Sequence, residues 1–133
     1  GLDPKVGLSD AGLAAFRQGI TDSVNTCLAS KSLDPGCGLA ICYVLSDGTK
    51  VIDGTITRTL TASAQAEMAS LEPDELYSDP LKVRGPYIGG VDVTADCESN
   101  GQSYTGCTFL FMPTLGSPLV DFSTDPVTVR WGN

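Results

Sequence analysis

The stretch SDAGLAAFRQGITDSVNTCLAS, residues 9–30, decides the fold, because it is the only segment whose pattern predicts a full helix. Ser9 is a favourable N-cap, and Asp10 places a negative charge at the positive end of the helix dipole. Gly19 lowers the helix propensity but allows the helix to lie close against a sheet. One face is expected to be buried and the helix to end near Ser30. The apolar residues at helical spacing are Leu13, Phe16, Ile20, Val24, Cys27 and Leu28.

Beyond this helix the chain has the patterns of strands. An apolar run at residues 39–45 is followed by Ser46–Asp47–Gly48, which is a hairpin turn signal. Alternation of Val91, Val93 and Ala95 with polar residues predicts a strand with one buried face. The segment 63–70 fits either a helical turn or a strand. Further strands are expected within 51–61, within 81–90 with a bulge or bend, and at 108–112, 119–122 and 127–131.

One helix followed by a run of antiparallel strands predicts the α+β class. A curved antiparallel sheet packed on the N-terminal helix buries both apolar faces, and this is the cystatin-like or NTF2-like arrangement. The length of 133 residues fits one domain. We therefore expect residues 9–133 to form a single α+β domain and residues 1–8 to serve as a tether or linker.

The composition excludes several classes of function. Eight Lys and Arg against 16 Asp and Glu give a net charge of −8, which repels nucleic-acid phosphates and anionic membrane surfaces. The absence of histidine excludes Ser-His-Asp and Cys-His catalytic sites. Neither a P-loop nor a dinucleotide-binding glycine motif is present. We expect no cofactor, no nucleic-acid partner and no enzyme activity, and a membrane contact only through an N-terminal anchor outside this sequence.

The five cysteines predict a disulfide-bonded protein that works outside the cytoplasm. Cys97 and Cys107 bracket a polar stretch between two strand-like segments, so a bond between them would clamp a hairpin. Cys27 and Cys37 bracket a Pro-Gly turn, and their bond would tie the helix end to the first strand. Cys42 is then left over in an apolar run and is expected to be a buried free thiol. A bond between Cys27 and Cys42 is an open alternative.

The helix-borne Cys27, the Cys37 ten residues later and the closing Val127–Trp131 resemble a group of extracytoplasmic domains. These domains belong to actinobacterial membrane-anchored proteins of unknown function. The resemblance implies a small cystatin-like unit behind a transmembrane helix, with a cysteine pair that joins the helix to the first strand. The chain lacks the Q-x-V-x-G motif through which true cystatins inhibit papain-like proteases, so inhibition of that kind is not expected.

Few side chains are candidates for a functional site. Tyr87 and Tyr104 lie beside glycine-rich bends and are the candidate partner contacts, because exposed tyrosines are good anchors for a partner. No metal site is expected, although an acidic stretch is a weak alternative for calcium, which prefers oxygen ligands. This stretch comprises Glu72, Asp74, Glu75 and Asp79.

The sequence therefore favours a non-enzymatic extracytoplasmic binding or assembly module of a membrane-anchored or secreted bacterial protein. Its partner would be an unknown protein or a cell-envelope ligand. One alternative is a freely secreted inhibitor or binding protein. Another is a small hydrolase that uses two carboxylates, which would need a cleft holding both groups at a defined separation.

Overall fold

The computed structural model describes residues 8–76 and 81–132, which contain two helices and nine strands. The α+β class is confirmed, and all strand pairs are antiparallel. The strands are divided between two sheets rather than joined in one curved sheet. The helices are α1 (Asp10–Ala29) and α2 (Ala62–Ala69). The strands are β1 (Lys50–Val51), β2 (Thr57–Leu60), β3 (Glu75–Leu76), β4 (Lys82–Arg84), β5 (Gly89–Ser99), β6 (Gln102–Thr108), β7 (Thr114–Leu115), β8 (Pro118–Asp121) and β9 (Thr128–Trp131).

The five-stranded sheet is built around β5, which pairs with β1, β2, β6 and β7. Val91, Val93 and Ala95 are buried, whereas Asp92 and Thr94 between them are exposed, so the predicted alternation along β5 is confirmed. The buried face of this one strand reaches two core clusters. Val91 belongs to the larger cluster, and Val93 and Ala95 belong to the smaller one.

The second sheet has four strands in the order β3-β4-β8-β9. The expected bulge or bend within residues 81–90 is the crossing between the two sheets. β4 ends at Arg84 in the four-stranded sheet, and β5 begins at Gly89 in the five-stranded sheet. Residues 85–88 lie in neither sheet. Gly85 is needed at this crossing, because a Cβ there would lie 3.0 Å from the ring of Pro118.

Helix α1 has the predicted boundaries and packs against strands of both sheets. The backbone N–H of Gly12 donates to Ser9 Oγ at 3.0 Å, which is the expected N-cap, and the helix ends at Ala29 with Ser30 as C-cap. Gly19 does allow a close approach, since a Cβ there would lie 2.5 Å from Val127 Cγ2. The core side chains that α1 contributes are Phe16, Ile20, Val24 and Cys27.

The undecided segment 63–70 is a helix. Thr61 caps α2 by accepting a hydrogen bond from the backbone N–H of Ala64 at 3.2 Å. Ala64 is fully buried, and a Cβ on Gly89 would lie 3.1 Å from its Cβ. Small residues on both sides therefore let α2 rest directly on the start of β5.

The strand predicted at residues 39–45 is wrong. Only Val44 makes a β-bridge, with Lys50 across the predicted Ser46–Asp47–Gly48 turn. The backbone N–H of Ile41 donates to the Leu33 carbonyl at 2.8 Å. The Tyr43 carbonyl accepts from the N–H of Val51 and the Leu45 N–H donates to the Thr49 carbonyl, each at 2.8 Å, so the end of the segment forms a short hairpin with residues 49–51. Because its first half is bonded to the preceding loop instead, the segment is not a regular strand.

The strand predicted at residues 108–112 is also wrong beyond its first residue. β6 ends at Thr108, and pairing with β5 resumes only at β7, where Thr114 lies opposite Gly90. Pro113 has no backbone N–H to donate, although its carbonyl accepts from the N–H of Val91 at 2.9 Å. Residues 109–112 consequently leave the sheet, and the apolar side chains of Leu110, Phe111 and Met112 are exposed.

The expected tether lies almost wholly outside the described residues. Leu8 is described and packs against the larger core cluster, so it belongs to the domain rather than to a linker. Residues 1–7 lie outside the described part, and their role as a tether stays a prediction. Within the described ranges, no helix is both long enough and apolar enough to cross a membrane.

Candidate functional site: an apolar groove beside a disulfide hairpin

The two disulfides join Cys27 to Cys37 and Cys97 to Cys107, the pairings that the sequence predicts, with a Cα–Cα distance of 6.2 Å in each. Cys27 and Cys37 are both buried in the larger core cluster. Disulfides form and persist in oxidising compartments, so they suggest that the chain works outside the cytoplasm.

The Arg58 side chain is hydrogen-bonded to the backbone within and just after the loop that the Cys27–Cys37 disulfide closes. It lies in β2 opposite Val93, and only 4% of its surface is exposed. Its guanidinium donates to four backbone carbonyls, at distances of 2.8 to 3.4 Å. Burial lowers the pKa of Arg58, and the Asp34 carboxylate partly offsets that shift. The four carbonyls belong to Ser30, Ser32, Leu33 and Leu39.

Arg58 was not singled out as a site residue from the sequence, although a signal was present. In a strand with alternating faces, it falls on the same side as Ile56 and Leu60, between Thr57 and Thr59. An arginine on the apolar face of a strand must find internal acceptors, since burying an unpaired charge is costly. The alternation therefore indicates a structural arginine at this position.

Cys42 is free, as expected, but the expectation of burial is wrong: its side chain is exposed. The apolar run around it predicts burial only if the run forms a core strand. The side chains of residues 39–42 alternate, with Leu39 and Ile41 buried and Ala40 and Cys42 exposed, so Cys42 falls on the outward side of the run. Ile41 enters the smaller core cluster, whereas Cys42, Tyr43 and Val44 are exposed.

We expect the native protein to react with one equivalent of a maleimide per chain, at Cys42, without unfolding. A Cys42→Ser variant should take up none, and the unfolded but unreduced wild type should still take up one. Unfolding with reduction should raise the number to five, which is the cysteine content. Mass spectrometry of the intact chain measures each number. Labelling that appears only after unfolding would contradict the exposed position of Cys42.

The Cys97–Cys107 disulfide lies in a groove of about 510 Å³, here called the hairpin groove. One wall comes from the turn after Val44 and the other from the end of β6 and the residues that follow it. The volume lies within the range of sites that take small molecules or side chains of a partner. The lining residues are Leu45, Ser46, Asp47, Thr49, Cys97, Ser99 and Cys107–Phe111.

The apolar segment, residues 109–112, forms one lip of the hairpin groove. Phe109 packs against the smaller core cluster, and its ring lies 5.1 Å from the ring of Phe111. Leu110 is fully exposed, and 53% of Met112 is exposed. Three adjacent apolar side chains, from Leu110 to Met112, thus face solvent next to an apolar groove. Exposed contiguous apolar surface of this kind marks an interaction site more often than a single exposed leucine does.

Of the described residues that line the hairpin groove, Asp47 is the one carboxylate, and none is Lys or Arg. The backbone N–H of Thr49 donates to Asp47 Oδ1 at 2.9 Å. Hydrogen bonds from Thr49 lower the pKa of Asp47, because they stabilise the ionised form. This contribution to folding is present above the ordinary aspartate pKa and is lost as the pH falls through the lower, folded value.

The two candidate tyrosines are both exposed but lie in different settings. Tyr104 is opposite Cys97 in the β5–β6 register, so it lies beside the disulfide of the hairpin groove. Tyr87 lies in the crossing between the sheets and is not among the groove's lining residues. About half of each side chain is exposed. Tyr104 is not a lining residue either, although it neighbours the lining residue Cys97, and the role of both tyrosines as partner contacts stays a prediction.

The described residues of the acidic stretch make separate contacts with different parts of the fold. Arg17 Nη2 donates to Glu72 Oε1 at 2.7 Å, and Arg17 Nε donates to the Leu71 carbonyl at 2.8 Å. Asp74 donates its backbone N–H to the Arg84 carbonyl at 2.8 Å. The side chain of Glu75 and the whole of Asp79 lie outside the description, so the weak calcium alternative stays a prediction. Among the side chains described, no cluster of three or more suits a metal ion.

These features define the class as an α+β domain with two disulfides and an uncovered apolar groove. Comparison of the chain with models of protein families, with curated proteins and with solved structures finds no match. The cystatin-like or NTF2-like assignment and the resemblance to actinobacterial membrane-anchored domains stay predictions.

Proposed function

We propose that this chain is a non-enzymatic extracytoplasmic binding module that docks a protein partner on the hairpin groove and the apolar segment. The exposure of Leu110 carries the proposal. Its side chain is fully exposed in a run of four apolar residues, and this run lies beside the groove. Burying a leucine side chain is worth about 1.5–3 kcal/mol, so a partner that covers Leu110 gains substantial affinity from this residue alone.

The charge supports a partner that presents an apolar recess with Lys or Arg at its rim. The net charge of −8 repels anionic surfaces, and Asp47 adds an ionised carboxylate to the hairpin groove. Complementary charges accelerate association and select the partner. A nucleic acid or an anionic membrane would meet repulsion instead.

We propose further that the module is held at a bacterial cell surface by a membrane anchor that precedes residue 8. This rests on the resemblance to membrane-anchored domains. The gene sequence upstream of Leu2 tests it: a hydrophobic segment of about 20 residues favours the tethered form. A cleavable signal peptide would favour the alternative of a freely secreted binding protein.

Site-specific photocrosslinking in the native cells tests the docking surface. A benzophenone amino acid replaces Leu110 and, as the matched control, the exposed Asp92 in β5, which does not line the hairpin groove. We expect a discrete protein adduct from position 110 that is absent from position 92. The purified partner should then bind a Leu110→Asp variant at least 30-fold more weakly, since a central anchor contributes about 2 kcal/mol or more.

Three outcomes would contradict this docking proposal. Adducts between two copies of the chain would assign the surface to self-association. Adducts with lipid would assign it to a membrane. Identical adducts from positions 110 and 92 would show that Leu110 is no more than an exposed residue.

Measurements of folding stability should distinguish a binding role of Leu110 from a folding role. We expect Leu110→Ser to change the free energy of unfolding by less than about 0.5 kcal/mol, because the side chain is fully exposed. Phe109→Ser should cost about 2 kcal/mol or more, because Phe109 packs against the core and stacks on Phe111. Urea denaturation measures both values. A large loss of stability in Leu110→Ser would mean that Leu110 is retained for folding.

A further inference from the structure

A second groove of about 510 Å³, here called the helix groove, lies between α1 and the C-terminal part of the chain. Gln18, Asp22 and Thr26 line it from α1, and their i, i+4, i+8 spacing places them on one helix face. The facing wall is formed by Asp125, Val127, Val129 and Trp131, which alternate along the approach to β9 and along β9 itself. The Cys27–Cys37 disulfide is also part of the lining.

The charges of the helix groove have one sign. Asp22 and Asp125 are among its described lining residues, none of which is Lys or Arg. Gln18 Nε2 donates to Asp22 Oδ1 at 2.7 Å, which orients the carboxylate and leaves its second oxygen as an acceptor. The ion pair found in the described ranges joins Arg17 to Glu72 and involves neither aspartate.

The indole of Trp131 lines the same groove and is held in position by a hydrogen bond to α1. Its Nε1–H donates to Ser23 Oγ at 2.8 Å, so the ring is fixed against α1. The valines at positions 127 and 129 supply apolar surface in the same wall. A tryptophan ring attracts cations, and an ammonium makes strong hydrogen bonds to carboxylates.

We propose that the helix groove binds an organic cation, namely an ammonium group on a short apolar stem. The charge lies at Asp22 and Asp125, and the stem lies along Val127, Val129 and the Trp131 ring. A free alkylamine and a lysine side chain of a peptide both present this chemistry. The helix groove and the hairpin groove share no lining residue, so this site is independent of the protein-docking surface.

Fluorescence tests the site directly, because Trp131 is the single tryptophan of the chain. We expect n-butylammonium to change the emission saturably, with a Kd on the order of 1 mM, as suits a ligand of about five non-hydrogen atoms. Neutral n-butanol should produce no saturable change. Asp22→Asn and Asp125→Asn should each weaken binding about tenfold through the loss of a charged acceptor. Asp92→Asn, outside the groove, should bind as the wild type does.

The capped peptide acetyl-Gly-Gly-Lys-Gly-Gly-amide, whose one ammonium group is that of the lysine side chain, distinguishes the two sources of the cation. Binding at least as tight as that of butylammonium assigns the groove to a lysine of a protein or peptide, and binding of the amine alone assigns it to a free amine. Thermal melts confirm that each variant is folded. The proposal is overturned if butanol matches butylammonium, if both carboxylate variants bind as the wild type does, or if no ligand changes the emission saturably.

Discussion

Replacement of Arg58 by methionine is expected to lower the free energy of unfolding by about 3–5 kcal/mol. The guanidinium is almost fully buried and donates to the carbonyls of Ser30, Ser32, Leu33 and Leu39. Methionine fills a similar volume but donates no hydrogen bond, so all four carbonyls lose the guanidinium as a donor, and of these Leu33 keeps the N–H of Ile41. Urea denaturation of the oxidised protein measures the loss.

Two further variants make the test of Arg58 specific. Arg130→Met removes an exposed arginine from β9 and should change stability by less than about 0.5 kcal/mol. Arg58→Lys keeps the charge but cannot reach four acceptors with one ammonium, so its loss should lie between those of the other two variants. Equal stability of Arg58→Met and the wild type would show that water replaces the guanidinium at these carbonyls.

Removal of the Cys27–Cys37 disulfide by a double substitution with alanine is expected to cost more than removal of Cys97–Cys107. Both bonds join cysteines that are ten residues apart, so the chain-entropy model gives each the same value of about 3 kcal/mol. Cys27 and Cys37 are also buried in the larger core, whereas Cys107 is partly exposed at a sheet edge. Lost packing should add at least about 1 kcal/mol to the first variant.

Denaturation of the two double variants side by side measures this difference. Because the loop lengths are matched, any difference reports burial and packing rather than loop entropy. The Cys97→Ala/Cys107→Ala variant should also show weakened partner binding, since this disulfide lines the hairpin groove. If the two variants lose equal stability, the burial of Cys27 and Cys37 contributes nothing beyond the cross-link.

The sequence predicts those features whose cause is local. The Ser9 cap and the spacing of apolar residues determine α1, and the alternation along residues 91–96 determines the buried face of β5. The disulfide pairings follow from cysteines that bracket turns. In each case, the residues that determine the feature lie close together in the sequence, within about the length of one helix.

The features that the sequence did not predict depend on distant partners. The run at residues 39–45 has the composition of a core strand. Its first half is hydrogen-bonded outside the sheet, because the Leu39 carbonyl accepts from Arg58 and the Ile41 N–H donates to the Leu33 carbonyl. Residues 109–112 also have the composition of a strand. They leave the sheet because the partner of Gly90 is Thr114, which lies beyond them in the chain. Cys42 and Leu110 are exposed as a result, so a local sequence pattern could not predict the apolar lip of the hairpin groove.

The central place of β5 has a consequence for the order in which an exported chain acquires structure. Every partner of the five-stranded sheet pairs with β5, and two of them, β1 and β2, precede it in the chain. During N-to-C emergence from a translocation pore, β1 and β2 cannot join the five-stranded sheet until residues 89–99 have also emerged. By contrast, α1 and the Cys27–Cys37 bond need only residues 10–37. The helix and its cross-link can therefore be complete while the chain is still crossing, and the sheet with its apolar groove is assembled afterwards.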